Sequence, residues 1–358
     1  MPELKINPIQ KKAIESSSGA WQVLAGPGSG KTFVITRRIR NLIENCGVDP
    51  ASILVITFTK AAAMEMQQRF YKLMENKPPV NFGTFHAIFY HIIRHSGKYR
   101  NFTIIKETEK RKLLMQILKL PKSQIFQGDE RIDNLLRYIS IIKNEGGNID
   151  ACIQDTFPKD ELLRIYTEYN EFFAEFKKLD FDDMGLLCLR LFEENPDILR
   201  EWQERYKYIM VDEFQDINPM QYNIVKKIAG ERANIFIVGD DDQSIYGFRG
   251  ARPDIMRQFM EDYKDATQLL LDVNYRCHED VVRKSLSVIN VNKNRYVKNI
   301  SASHAEGEGV IIKEYPDQET EYEDIINGLT GTIESLDNIA IIYRTNHECA
   351  ACLRKNCL

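Results

Sequence analysis

Gly26-Pro27-Gly28-Ser29-Gly30-Lys31-Thr32, with Ala25 before it, follows the apolar run Trp21-Gln22-Val23-Leu24 and leads into the helical pattern of residues 33–43. This segment decides the fold. A strand candidate runs into a glycine-rich turn of P-loop spacing, Gly26, four residues, then Gly-Lys-Thr, and a helix follows. Glycines let successive backbone N–H groups curl around phosphate oxygens, and the helix N-terminus adds partial positive charge. Gly26, Pro27, Gly28, Ser29 and Gly30 are thus expected to cradle phosphates. Lys31 is expected to neutralise β/γ-phosphate charge and Thr32 to place its hydroxyl on Mg²⁺.

Outward from this turn, short apolar runs recur at 53–58, 208–211, 235–238, 269–273, 310–312 and 339–343, each bounded by Gly, Asp, Asn or Thr. Continuous apolarity suits strands buried on both faces of a parallel sheet, and the helical patterns between them argue for α/β architecture. Residues 88–178 read differently. Leu113, Leu114, Ile117 and Leu118 recur at helical spacing, as do Leu162, Leu163, Tyr166, Tyr169 and Phe173, which predicts an inserted helical domain. The expected organisation is a first α/β domain from 1–87 and 179–270, a helical insertion at 88–178, and a second α/β segment at 271–358.

Two further strand ends carry chemistry. Tyr208-Ile-Met-Val ends in Asp212-Glu213, where Asp212 can reach Mg²⁺ and Glu213 can deprotonate an attacking water. Lys31 and Asp212 stand 181 positions apart, too far for one βαβ unit, which again calls for an insertion. The run 235–238 leads into Gly239-Asp-Asp-Asp-Gln243, and the neutral Gln243 can hydrogen-bond a γ-phosphate or the attacking water. Tyr246, Phe248 and Arg249 follow at once, two π faces and a guanidinium suited to stacked bases and phosphates of a single strand.

Jointly these motifs resemble the UvrD/Rep/PcrA-type superfamily 1 DNA helicases, from Asn7 to about Arg344. Asn7-Pro-Ile-Gln10 resembles the adenine-reading Q motif, and Gly26 to Thr32 the Walker A motif. Thr57-Phe-Thr-Lys60 onward resembles motif Ia, Gly83-Thr-Phe-His86 motif Ib, and Leu179-Asp-Phe-Asp-Asp183 the return from the helical insertion. Val211 to Asp216 resembles motif II, Gly239 to Gly250 motif III, and Asn274-Tyr-Arg276 motif IV. Phe33 stands where the family often has Arg, and Phe248 where it often has Trp. The resemblance implies a P-loop RecA-like parallel sheet with an inserted helical domain and a partial second RecA-like domain. It implies ATP and Mg²⁺, with Gln10 reading adenine, Tyr275 stacking on it, and Lys31, Asp212, Glu213, Gln243 and the arginine finger Arg276 acting in hydrolysis. It places Thr57, Phe58, Lys60, Thr84, His86, Tyr246, Phe248 and Arg249 along the DNA. Single-stranded DNA or a 3′-tailed duplex is the implied partner, with 3′ to 5′ polarity. No match to motifs V and VI precedes Leu358, so the chain reads as the N-terminal portion of such a motor, expected not to unwind DNA by itself. Three rivals remain open: an ATP- and DNA-binding module without turnover, the N-terminal part of a helicase–nuclease subunit, and a P-loop ATPase unrelated to nucleic acid.

Composition is ordinary for a globular chain: 43% hydrophobic and 28% charged over 358 residues. The apolar runs are far too short to span a bilayer and the N-terminus lacks a signal-peptide core, so residence in the cytoplasm is expected. A net charge of −4 means that nucleic-acid binding must rest on a local surface. Seven scattered cysteines suit free thiols in a reducing compartment. His347 with Cys349, Cys352 and Cys357 resembles metal-ligand spacing without a second cluster to complete it, and His91 with His95 reads as one helix face.

Overall fold

The computed structural model describes residues 6–120, 130–152, 157–231, 234–245, 247, 250–331 and 335–343. Two compact units divide it, 1–307 and 308–358. The first is built on a six-stranded parallel sheet of β1 (Ala20–Ala25), β2 (Ile53–Thr57), β3 (Asn81–Thr84), β6 (Tyr208–Val211), β7 (Ile235–Gly239) and β8 (Thr267–Leu271). The strand order is β3-β2-β6-β7-β1-β8, every pairing parallel. All residues of β2 and β7 are buried, because helices cover both faces and leave no solvated side to alternate toward.

On one face α1 (Pro8–Glu15), α2 (Lys31–Glu44) and α3 (Lys60–Tyr71) pack Ile14, Val34, Ile35, Ile39, Met66 and Phe70 against the sheet. The other face carries α4 (Phe85–His95), α8 (Phe181–Glu194), α9 (Pro196–Arg205), α10 (Pro219–Ala229) and α11 (Ile255–Asp262). Gly185 of α8 has a packing reason, since a Cβ there would overlap the sulfur of Met220 on α10.

Between α4 and α8 the chain forms a separate helical core from α5 (Glu107–Ile117), α6 (Glu130–Asn144) and α7 (Lys159–Glu175). Ile105 to Phe173 supply this core, whereas Ile88, Phe89, Ile92 and Ile93 of α4 belong to the sheet's own cluster. The pair β4 (Thr103–Ile104) and β5 (Lys178–Leu179) closes its base, returning the chain close to where it left. Lys143 anchors this junction. Its ammonium is fully buried, 2.9 Å from Asp180 and 2.6 Å from Asp183, and Tyr169 donates to Asp180 at 3.1 Å. Burial works to lower the Lys143 pKa, and the two carboxylates outweigh it, so the group stays charged.

The run expected as one strand near 269–273 divides between two sheets. After β8 the chain turns at Asp272 into β9 (Val273–Asn274), which pairs in parallel with β10 (Ser301–Ala302) across α12 (Glu279–Ile289). The second unit holds α13 (Gln318–Gly331), with Tyr322 buried and Asp324 accepting from Lys313 and Tyr315. The strands expected at 310–312 and 339–343 do not form among the described residues: Ile311, Ile312 and Ile342 are 79%, 86% and 93% exposed. Apolar β-branched composition alone does not make a strand, since its N–H and C=O groups need a ladder partner.

Replacing Lys143 with Met would strand two buried carboxylates without a counter-charge. Lys143→Met should destabilise the first unit by about 3–5 kcal/mol in urea unfolding; a loss below about 1 kcal/mol would show that the junction does not depend on this ion pair.

Candidate nucleotide site and nucleic-acid interface

The candidate ATP-site residues converge at the carboxyl ends of the parallel strands, where α/β sheets bind ligands. β1 ends in the glycine turn, β6 in Asp212 and Glu213, and β7 in Asp240. Gly28 (φ 67°) and Gly30 (φ 89°) hold the left-handed geometry that the turn requires. The Ser29 hydroxyl donates back to the Gly26 carbonyl at 2.7 Å, and Lys31 opens α2. Gln10 closes a capping box with Asn7 on α1, and its amide donates to the Ser29 carbonyl at 3.1 Å. It is thereby fixed beside the turn.

Lys31 reaches across to Glu213, Nζ to Oε2 at 2.7 Å. Glu213 sits at φ 50°, a left-handed conformation uncommon for a residue with a Cβ and a mark of local strain. Asp212 is buried, and its Oδ1 has no hydrogen-bond partner among the described residues. Burial first, then the neighbouring Glu213 charge, pushes the Asp212 pKa up to about 7 against the opposing pull of Lys31. Asp216 is raised to about 6 for the same two reasons, and its Oδ1 is also without a partner. A buried oxygen with nothing to accept from is the donor that a hard divalent cation lacks. Asp212, with the Thr32 hydroxyl in the first turn of α2, is a donor set that fits Mg²⁺.

Gln215 was not singled out by sequence, yet it ties two motifs together. It is buried, donates to Glu213 at 2.9 Å, and accepts from the Asp240 N–H at 2.9 Å. Gln243 lies close by, its amide held by Asp240 Oδ2 at 2.7 Å. The Asn274-Tyr275-Arg276 segment lies against the glycine turn. Tyr275 N–H donates to the Gly28 carbonyl at 2.9 Å, and its hydroxyl accepts from Asn7 at 2.9 Å. A Cβ on Gly28 would stand 2.6 Å from Asn274 Oδ1 and 2.8 Å from the Cβ of Arg276. The Arg276 side chain is exposed. At Phe33, where the family often carries Arg, the guanidinium of Arg37 lies 3.5 Å from the ring centroid.

The candidate DNA-track residues separate. Phe58, His86 and Phe181 line a cavity of about 580 Å³, closed on the helical side by Arg137, Ile141 and Asn144. His86 meets the Phe181 ring edge-on at 5.2 Å, and burial lowers its pKa against the pull of Asp182. Phe181 is 51% exposed and was missed as a site residue, although it lies inside the quoted return segment. Lys60 and Thr84 line a second groove of about 370 Å³. The Thr84 hydroxyl caps α4 by accepting from Ala87. Thr57 is 1% exposed, and its hydroxyl donates to the Thr59 carbonyl at 3.0 Å, so it shapes the turn after β2. Tyr246, Phe248 and Arg249 lie outside the described residues, as do Cys349, Cys352 and Cys357.

The UvrD/REP helicase N-terminal domain matches residues 6–264, and the UvrD-like helicase C-terminal domain matches 269–354. The chain belongs to the UvrD/REP helicase family. It is 37% identical to the putative ATP-dependent DNA helicase YjcD of Bacillus subtilis, over 96% of this chain and 46% of that protein. It is 34% identical to the ATP-dependent DNA helicase PcrA of Staphylococcus aureus, over 95% and 48%. Against PcrA of Leuconostoc citreum the figures are 33%, 95% and 47%. The chain spans about half the length of the curated relatives it matches. No described helix is long and apolar enough to cross a membrane.

The orphaned carboxylates make stability pH-dependent when nucleotide and metal are absent. Below about pH 4 Asp212 is protonated whether folded or unfolded. Between there and about pH 7 only the folded state keeps the proton, so folding stability falls as pH rises through that window. Asp212→Asn should flatten this slope. In EDTA it should match wild type at pH 4 and exceed it by at least about 1 kcal/mol at pH 8. Parallel stability–pH curves for the two proteins would contradict the assigned burial of this carboxylate.

Proposed function

We propose that this chain is the ATP-binding motor portion of an ATP-dependent DNA helicase that moves along single-stranded DNA. The observation that carries the reading is the convergence of Lys31, Glu213 and the orphaned Asp212 oxygen at the carboxyl ends of β1 and β6, on either side of β7. That set offers a phosphate cation, a water-facing base and a metal donor in one place. The names of the relatives, ATP-dependent DNA helicases, support the same reading.

ATP is the substrate in this account. The glycine-turn N–H groups hold its phosphates, Gln10 and Tyr275 take the adenine, and Lys31 turns from Glu213 to the β/γ-phosphate oxygens. Thr32 and Asp212 would hold Mg²⁺, which when bound neutralises phosphate charge. Glu213 accepts a proton from water as the water oxygen bonds to the γ-phosphorus and the bond to the ADP leaving oxygen breaks. Gln243 orients that water or the departing phosphate, and the Arg276 guanidinium offsets charge on the transferring group. Phe181 offers exposed ring surface for a stacked base, the half-buried Phe58 lines the same cavity, and Lys60 and the α4 N-terminus would face phosphates. Tyr246, Phe248 and Arg249 extend this track by family resemblance, and 3′ to 5′ is the polarity that resemblance implies. A 3′-tailed duplex is the corresponding substrate for unwinding.

Steady-state hydrolysis with and without a single-stranded oligonucleotide tests the reading. Turnover should rise with the oligonucleotide, and Glu213→Gln should lower it by about 10²-fold or more. Rates indifferent to both would contradict it. Fluorescence anisotropy with a labelled oligonucleotide tests the track: Phe58→Ala and Phe181→Ala should each weaken binding by about 1–3 kcal/mol, and affinity should fall with salt. Unchanged affinity in both variants would remove this cavity from the DNA path.

A further inference from the structure

Lys298 is a surface-type residue in a stretch without a motif, yet its side chain is 1% exposed. Its ammonium lies 2.5 Å from Asp240 Oδ1, 2.5 Å from Asp241 Oδ1 and 2.8 Å from Asp242 Oδ2. Arg295 joins the cluster, bidentate to Asp242 with both contacts at 2.6 Å, and Tyr296 N–H donates to Asp241 at 2.7 Å. Three carboxylates this close could suggest a metal centre. The Lys298 ammonium already touches all three, and two buried-side cations balance most of their charge.

The cluster faces the nucleotide site through a single carboxylate. Asp240 is fully buried; one oxygen takes Lys298 and the other holds the Gln243 amide at 2.7 Å. Its N–H is held by Gln215, which holds Glu213, which holds Lys31. On its other side Lys298 leads directly into Ile300 and β10. Ser301 N–H donates to the Asp272 carbonyl and Ser303 N–H to the Asn274 carbonyl, both at 2.8 Å. That ladder sets β9, and β9 runs into Tyr275 and Arg276. Ile300 also abuts the glycine turn, 2.6 Å from where a Cβ on Gly26 would stand.

We infer that Lys298, with Arg295, is a positioning residue for hydrolysis: it holds the strand pair that carries Arg276 against the acidic loop that carries Gln243. This rests on the hydrolytic reading of the site above. Lys298 touches no reacting atom. It fixes two groups that must face the same phosphate from different segments, and displacement of either by about 1 Å can cost about 10²-fold in rate.

Lys298→Met alone leaves the fully buried Asp240 without a counter-charge and threatens folding. Lys298→Met combined with Asp240→Asn removes the ion pair while Asn keeps an oxygen for the Gln243 amide. The 358-residue chain and this double variant are compared by thermal melting and by ATP hydrolysis with a single-stranded oligonucleotide. We expect cooperative melting in both, KM for ATP within about threefold, and kcat lower by about 10²-fold in the variant. A folded variant with wild-type kcat overturns the inference, and so does one whose loss lies in KM alone. Failure to melt cooperatively would show the cluster to be a folding element and overturns it too. A wild-type chain without turnover defeats instead the hydrolytic reading, and the inference falls with it.

Discussion

The 2.7 Å contact between Lys31 and Glu213 depends on almost everything else in the first unit. Its partners are 182 positions apart in sequence. They meet because β1 and β6 both flank β7 in one parallel sheet, so their carboxyl ends open at the same edge. The helical insertion can be long without cost to this geometry because β4 and β5 bring its two ends together. The contact has a chemical meaning as well. Lys31 is paired with a carboxylate, while Oδ1 of Asp212 and Oδ1 of Asp216 have no hydrogen-bond partner among the described residues.

Much of this was legible in the sequence, for identifiable reasons. The glycine turn announces itself because only a few residue types fit the left-handed geometry at Gly28 and Gly30, and strand and helix context flank it. The buried strands are legible because short continuous apolar runs bounded by turn residues suit strands buried on both faces of a parallel sheet. The six-stranded parallel sheet agrees with the α/β expectation.

What stayed hidden is mostly long-range. Lys298 and Arg295 carry no local signal, since a lysine and an arginine in a polar stretch read as solvated surface. Their partners lie more than fifty positions away. Gln215 sits inside the segment from Val211 to Asp216, but its burial and its bridge to Asp240 follow from how β6 and β7 neighbour each other. Phe181 lies in the segment that resembles the return from the helical insertion, and becomes a candidate contact only once α8 is placed beside Phe58 and His86. The runs at 310–312 and 339–343 have strand composition, and composition does not supply a ladder partner.

Glu213 occupies Lys31 in the nucleotide-free protein, and the proposed function requires it to release the lysine to ATP. A competing ion pair lowers apparent affinity by the fraction of protein it holds in the occupied state. The most direct measurement is equilibrium titration of the wild-type chain and Glu213→Gln with a fluorescent ATP analogue and Mg²⁺. Glu213→Gln keeps the shape and removes the charge that holds Lys31, so it should bind tighter, by about threefold or more. Equal or weaker binding by Glu213→Gln would contradict it.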